Sequence, residues 1–207
     1  YPILLGDVKR ILKLALDNSI DLEDMLIMDP KADDTQELIN QFADLFYSRR
    51  KRKGSNWHEA NKIMKDRNYF GCMLVESGEA DCMISGLTRS YPDTIRPAIQ
   101  TLGTEEGVKK IAGMYILLTK RGPLFLADTT INFNPTAEEL AEITLLTAKE
   151  VKQFNIVPRI AMLSYSNVGS SNSPEANLVR KARELVKAKD PTLICDGEVQ
   201  GILAFNK

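Results

Sequence analysis

The chain has 207 residues, of which 43% are apolar, 27 are basic and 28 are acidic, a size that accommodates one large domain or two small ones. Its net charge of −1 gives no electrostatic reason to expect nucleic acid or an anionic membrane as a partner. No apolar run reaches the roughly 20 residues that a membrane-spanning helix needs, and the first residues lack the basic and apolar regions of a signal peptide. The chain starts abruptly with a strand-like segment and without an initiator Met, so we expect it to begin inside a longer protein.

Strand-like segments recur along the whole chain and alternate with helix-like ones. Each is short, apolar and bounded by Gly, Pro or Asp, as is typical of buried parallel strands. The alternation predicts an α/β fold with a largely parallel sheet and helices on its faces. The predicted strands are residues 2–5, 25–28, 81–85, 114–118, 124–127, 159–164 and 192–195.

The first helix with clear signals follows the second strand. We predict that Asp34 caps it, with Glu37 three residues later, because this spacing is typical of a capping box. The helix should end at the basic run 49–53 before Gly54, since basic side chains favour the negative helix end and Gly tolerates a left-handed backbone. Its apolar stripe is Leu38, Ile39, Phe42, Leu45 and Phe46.

Two later helices also have start signals. Thr136 and Glu139 form a predicted capping box, and Ser173 followed by Pro174 predicts another helix start. Between these helices and the first half of the chain, residues 102–108 contain two glycines and two glutamates. This segment is either a helix cap or a joint between two domains, and we favour the joint.

The three cysteines, Cys72, Cys82 and Cys195, form no C-x-x-C pair. We interpret them as small apolar side chains in a reducing cytosol, which places the protein in the cytoplasm. His58 is the only histidine, so we predict no metal site. A G-x-G-x-x-G or G-x-x-x-x-G-K-[ST] motif is absent from the sequence, so a nicotinamide or nucleoside-triphosphate site within this chain has no support.

Two polar loops are candidate ligand sites. Residues 81–98 read as a strand, a hydroxyl-rich loop and a helix that carries Arg96, and residues 163–173 as a strand end and a polar loop before a helix. Loops after parallel strands bind ligands in α/β folds, and hydroxyl groups, helix N–H groups and an arginine together suit a phosphate. The alternatives are an ordinary loop with a surface arginine, a flexible cap and, for the basic run 49–53, a solvated helix end.

Several blocks of the sequence, taken in order, resemble the phosphate acetyl/butyryltransferase family. Together they cover essentially the whole chain, although each block alone would be a weak signal. They are residues 2–7, 50–54, 81–86, 96–100, 127–132, 135–141, 164–170 and 196–200.

The resemblance implies a three-layer α/β/α fold with largely parallel sheets and two lobes separated by a cleft, of the phosphotransacetylase and isopropylmalate-dehydrogenase-like type. We place the lobes at residues 1–105 and 106–207, with the family's completing C-terminal segment absent. The family moves an acyl group between coenzyme A and phosphate. The resemblance implies that Arg50 and Arg96 contact coenzyme A and acyl phosphate, that Ser90 lines the acyl-phosphate pocket, and that Ser166 and Gly169 belong to a cleft loop.

Two departures from the family pattern guide the functional hypothesis. Transferases of the family usually read H-[ST]-T-A-D-T-x-R-P, whereas the matching residues 89–97 of this sequence begin with Arg89 in place of the His. Residues 87–91 resemble instead the phosphotransacetylase-like domain of bacterial NADP-dependent malic enzymes. The family's Ser-Arg pair and the Asp that acts as base have no match here. We therefore predict no catalytic residue in this chain and no transferase activity from the chain alone.

From these features we predict an acetyl-CoA-binding regulatory domain of a malic enzyme, whose NADP and divalent metal would lie in an absent upstream region. The alternative is a phosphate acetyltransferase, and a third possibility is an oligomerisation domain that binds no ligand. The predicted partners are acetyl-CoA or acyl phosphate and further copies of the chain, without nucleic acid or membrane.

Overall fold

The computed structural model describes residues 1–205, and residues 206 and 207 of the predicted second lobe lie outside it. The chain divides into two compact units, Tyr1–Gly103 and Thr104–Lys207. Among the described residues, no helix is both long and apolar enough to cross a membrane.

The first unit is mostly helical, with one small parallel sheet. Strands β1 and β2 pair in parallel, with Ile3 opposite Leu26 and Leu5 opposite Met28. A 3₁₀ turn, Asp33–Thr35, precedes α2, and a second one, Lys51–Lys53, follows it. The elements of this unit are β1 (Ile3–Leu5), α1 (Val8–Asp17), β2 (Leu26–Met28), α2 (Gln36–Arg50), α3 (Trp57–Met64), α4 (Arg67–Glu76) and α5 (Tyr91–Thr101).

The core of the first unit is built on α2, α3 and α4. The predicted stripe of α2 contributes three of its buried side chains, and Leu38 and Leu45 pack at the margin of the cluster. The helix starts after the 3₁₀ turn rather than at Asp34, and it has no side-chain cap. Its end is as predicted, because Gly54 takes φ +87° after the basic run. The buried cluster is Ile39, Phe42, Ala43, Phe46, Ala60, Met64, Phe70, Met73 and Leu74.

The predicted strand at residues 81–85 is wrong. This segment, which the structure describes throughout, has an irregular backbone. Met83 packs against α4 and β1, where a Cβ at Gly71 would lie 2.8 Å from the Met83 sulfur. Cys82 is exposed and Ile84 is 95% exposed, so the segment lacks the cover on both faces that a buried parallel strand requires.

The second unit contains a hairpin and a β–α–β motif. Strands β3 and β4 pair antiparallel, with Met114 opposite Ala127, whereas β5 and β6 pair in parallel, with Arg159 opposite Ile194. The elements of this unit are β3 (Met114–Thr119), β4 (Gly122–Ala127), α6 (Ala137–Gln153), β5 (Arg159–Leu163), α7 (Pro174–Lys189), β6 (Ile194–Val199) and α8 (Gly201–Phe205).

The start signals of α6 and α7 are confirmed. Thr136 and Glu139 form the reciprocal capping box, with both hydrogen bonds present, and the Ser173 hydroxyl accepts from the Ala176 amide. These caps satisfy amide groups that have no partner within the helix. The core of this unit joins Ala141 and Ala148 of α6, Val179, Ala182 and Val186 of α7, and Met162 and Cys195 of the sheet.

The α/β class is confirmed, with parallel strand pairs in both units and one antiparallel hairpin. The hairpin was not foreseen in the prediction of a largely parallel sheet. Its strands are joined by a turn too short for a crossover connection, which parallel pairing needs.

Candidate functional site

Arg50 is the last residue of α2 and packs on the ring of Phe46. The guanidinium carbon lies 5.7 Å from the ring centroid, and the residue is half-buried. Attraction to an aromatic face orients a guanidinium and leaves its N–H donors available to an anion. The core of the first unit therefore positions one of the predicted ligand residues directly.

Arg96 lies in α5, the helix that Tyr69 of α4 contacts through Gln100. The Tyr69 ring packs edge-on against Phe46, with centroids 5.9 Å apart, and its hydroxyl donates to Gln100 Oε1 at 2.7 Å. Burial raises the pKa of Tyr69, while the positive charges of Arg96 and Arg50 act to lower it. Both arginines therefore act electrostatically on one tyrosine of the first unit.

Ser90 caps α5 and is held by the first turn of that helix. Its hydroxyl donates to Asp93 Oδ2 at 2.6 Å and accepts from the Asp93 amide at 3.4 Å. Arg96 Nη1 is 3.9 Å from the other Asp93 oxygen, and both side chains are more than half exposed. Such an exposed pair contributes little stability, so Arg96 can turn to a ligand at small cost.

Asn68 and Asp66 hold the loop before α5 against α4. Asn68 is 4% exposed, and its amide accepts from Ser85 Oγ at 2.8 Å and donates to the Asp93 carbonyl at 3.2 Å. Asp66 pairs with Arg89 at 2.7 Å. A buried amide with both ends bonded is costly to disturb, so these contacts fix the backbone on which Ser90 and Arg96 stand.

The arginine that precedes Arg50 has a structural role instead. Arg49 donates to the Thr101 carbonyl at 3.0 Å and pairs with Glu76 at 2.5 Å. It thereby joins the end of α2 to the ends of α4 and α5, and only part of the basic run 49–53 remains for a ligand.

In the second unit, Ser166 and Gly169 lie in the loop between β5 and α7. Ser166 is 5% exposed, and its hydroxyl donates to Glu198 Oε1 at 3.1 Å. Gly169 is exposed, with φ +74°, inside a turn that the Ser170 amide closes by donating to the Asn167 carbonyl at 2.8 Å. The loop therefore has an anchored base at Ser166 and an exposed tip at Gly169.

The Asp128 carboxylate accepts hydrogen bonds from the loop that follows β4. Burial of this carboxyl acts to raise its pKa, but hydrogen bonds from the Asn132, Gly113 and Thr130 amides and from the Asn132 side chain outweigh burial and hold the pKa at about 2. The Asn132 amide donates to Oδ2 at 2.6 Å. The carboxylate is thus bound in its ionised form by a ring of donors.

We expect Asp128→Asn to destabilise the second unit, because the new amide group would turn a donor toward backbone N–H groups. The folded-state pKa lies below the ordinary 3.8, so the stabilisation is present above pH 4 and is lost as the pH falls through about 2. A shift of this size corresponds to about 2.5 kcal/mol at most, and partial solvation should roughly halve it. Thermal unfolding from pH 7 to pH 2 checks this.

The control for Asp128→Asn is Glu184→Gln, which neutralises an exposed carboxylate of α7. The difference in melting temperature between wild type and Asp128→Asn should shrink between pH 4 and pH 2, whereas the control should track wild type throughout. A difference that is constant over this range would show that the Asp128 charge is not what stabilises the loop.

Sequence reasoning missed several residues that build these sites, above all Glu198, Arg180, Asn68 and Tyr69. Glu198 lies in the family-like block 196–200, just beyond the predicted strand 192–195, and its place in that block was the available signal. Asn68 gave no signal, because its neighbours 85 and 93 are close only in the fold. Within residues 1–205, no group of His, Cys, Asp or Glu is arranged to hold a metal ion.

The fold agrees with what comparison with known proteins finds. All 207 residues match the family described as Phosphate acetyl/butaryl transferase, and the chain belongs to that family. The phosphate acetyltransferase of Bacillus subtilis strain 168 is 40% identical over 204 residues, which cover 99% of this chain and 62% of the relative. The chain therefore spans somewhat less than two thirds of that relative.

Solved structures give the same result for the fold. EutD phosphotransacetylase from Staphylococcus aureus superimposes with a TM-score of 0.82 at 33% identity, covering 96% of this chain and 60% of the other. A phosphotransacetylase from Streptococcus pyogenes gives 0.81 at 36% identity, with the same coverage. The predicted phosphotransacetylase fold is confirmed.

The prediction of a malic-enzyme regulatory domain is wrong. The relatives that match nearly the whole chain are phosphate acetyltransferases, and oxidoreductase function, NADP and an upstream metal find no support among them. The prediction depended on Arg89 and its neighbours. The Arg89–Asp66 pair gives this departure a structural role, as a tie between a loop and α4.

Proposed function

We propose that the protein is a phosphate acetyltransferase that moves an acetyl group between coenzyme A and phosphate. The observation that carries this proposal is the match to phosphate acetyltransferases along 99% of the chain at 40% identity. Arg50 and Arg96 of the first unit support it, because an acyl phosphate and the phosphates of coenzyme A are anions that guanidinium groups bind well.

We assign Arg50 and Arg96 to the phosphate groups of the substrates. Arg96 stands in α5, close to its N-terminus at Ser90, where free amide groups and the helix dipole also favour an anion. Ser90 contributes by capping that helix, and its hydroxyl can exchange Asp93 for a ligand oxygen. Ser166 and Gly169 are assigned to a second polar loop that contacts substrate.

The positive charges of Arg50 and Arg96 would assist transfer of the acetyl group. The thiol sulfur of coenzyme A bonds to the acetyl carbon, the bond from that carbon to the phosphate oxygen breaks, and phosphate leaves. Guanidinium groups that bind the phosphate more strongly as its charge grows lower the barrier. The thiol proton must pass to a base, and the Ser-Arg-Gly stretch that the family resemblance associates with that base does not occur in the 207 residues.

We therefore expect the 207-residue chain to bind acetyl phosphate and coenzyme A but to form acetyl-CoA about 10²–10⁴-fold more slowly than the Bacillus subtilis phosphate acetyltransferase, as is typical when a positioned base is lacking. Calorimetry measures binding of each ligand, and absorbance of the thioester measures turnover. The Bacillus subtilis phosphate acetyltransferase is the positive control. A chain that binds neither ligand at millimolar concentration would contradict the proposed function, and fast turnover would place a base within these residues.

The predicted association into homo-oligomers and the cytoplasmic location stay predictions. Association is favoured by the side chains of β3, which are apolar and more than 40% exposed at Tyr115, Ile116, Leu117 and Leu118, since an exposed apolar strand is a common contact surface.

A further inference from the structure

Glu198 is a carboxylate with no exposed surface at an irregular point of β6. The register of the parallel pair places Met162 opposite Gly197 and Leu163 opposite Val199, so Glu198 has no residue across from it. Such a bulge turns a side chain away from the regular alternation of a strand, and bulges are frequent beside functional sites.

The two oxygens of this carboxylate have different partners. Oε1 accepts from the Ser166 hydroxyl at 3.1 Å, and Oε2 accepts from Arg180 Nε at 2.7 Å. Arg180 also donates, through Nη2, to the Ser171 carbonyl. The buried charge is therefore neutralised by a partly buried guanidinium and linked to both ends of the loop 164–171.

The residue that follows β6 holds the middle of the same loop. The backbone N–H of Gln200 donates to Asn167 Oδ1 at 3.0 Å, and its side-chain Oε1 accepts from Asn167 Nδ2 at 3.3 Å. Its side chain also donates to the Tyr165 carbonyl at 2.6 Å. The exposed tip at residues 168–170 thus projects from a base that is bonded on both sides.

We propose that Glu198 and Arg180 are positioning residues, which act through Ser166 and Ser171 to hold the tip of the loop 164–171 in the form that receives the phosphate of an acyl phosphate. The identity of this ligand rests on the proposed function. Because a buried carboxylate that loses its partner is strongly unfavourable, the arrangement has one stable form, and a loop fixed in advance binds without the cost of ordering itself.

The test uses Glu198→Gln and Arg180→Met in the full chain. Lys181→Met is the matched control, because Lys181 is the next residue of α7 and pairs with Glu138 at 2.7 Å, the same distance as in the Arg180–Glu198 pair. Unlike that pair, the Lys181 and Glu138 side chains are both about 60% exposed. Hydrogen exchange of peptides covering residues 164–171 reports the loop without any ligand, and calorimetry with acetyl phosphate reports binding. Both test variants should exchange at least 10-fold faster in this loop and bind acetyl phosphate at least 10-fold more weakly, while the control stays at the wild-type values.

Unchanged exchange in the loop would overturn the inference, as would faster exchange with wild-type affinity for acetyl phosphate. If the two variants exchange faster but the wild type binds no acetyl phosphate, the result would support the role of Glu198 and Arg180 in holding the loop and would overturn the proposed function instead. If either variant fails to fold, Arg180→Lys keeps a charge beside the carboxylate but cannot make both of the arginine's bonds, and it should give an intermediate increase in exchange.

Discussion

Replacing Phe46 by alanine is expected to lower the free energy of unfolding of the first unit by about 3–5 kcal/mol, as large-to-small changes at buried aromatic positions do. Phe46 is 2% exposed in the core cluster, and its ring supports both Tyr69 and the Arg50 guanidinium. The cavity left behind would therefore also release the two side chains that connect this core to the candidate site.

Trp57 makes this prediction measurable for one unit alone. It is the only tryptophan in the chain, and it lies in α3, with its indole N–H donating to Asp44 at 2.6 Å. Because a chain with two compact units need not unfold in a single transition, urea unfolding followed by tryptophan fluorescence reports the first unit specifically. The Phe46→Ala midpoint should fall clearly below that of wild type.

The control is Phe133→Ala, which removes a ring that is 93% exposed in the second unit. We expect it to change stability by less than about 0.5 kcal/mol, as exposed substitutions do. Equal losses for the two variants would mean that the fluorescence change reflects general damage. A Phe46→Ala midpoint close to that of wild type would show that α2 is not central to the core of the first unit.

The local signals in the sequence were reliable at several helix ends but not at the start of α2, where Asp34 does not cap the helix. The capping box of Thr136 and Glu139 and the left-handed Gly54 after the basic run depend on neighbours within four residues. The strand at residues 81–85 was predicted from the same kind of local pattern and was wrong. Whether an apolar segment becomes a strand depends on a partner strand and on cover for both faces, which the local sequence does not contain.

The residues of the candidate site likewise differ in how far the sequence alone could predict them. Arg50 and Arg96 were expected to share a site from the family resemblance, and their common effect on Tyr69 depends on the packing of α2, α4 and α5. Glu198 was not predicted, because its partners at positions 166 and 180 are 32 and 18 residues away. A buried carboxylate is recognised only when the fold shows which cation neutralises it.

The largest effect on ligand binding is expected from the two arginines. Arg50→Ala and Arg96→Ala should each remove a charge-assisted hydrogen bond, which contributes about 1.5–3 kcal/mol and corresponds to a loss of affinity of about 10- to 150-fold. Titration of each variant with acetyl phosphate and with coenzyme A shows which ligand each arginine contacts. Arg96→Lys should recover only part of the affinity, because an ammonium group keeps the charge but loses the planar fork.

Arg52→Ala is the matched control, since Arg52 is an exposed residue two positions beyond Arg50 in the same basic run. If it weakens binding as much as Arg50→Ala does, the run attracts anions in general and Arg50 has no specific role. The double variant Arg50→Ala/Arg96→Ala distinguishes a shared ligand group from separate ones. Two guanidinium groups on one phosphate should give a combined loss that differs from the sum of the single losses by about 0.5 kcal/mol or more. Two groups on separate phosphates of coenzyme A should give losses that add.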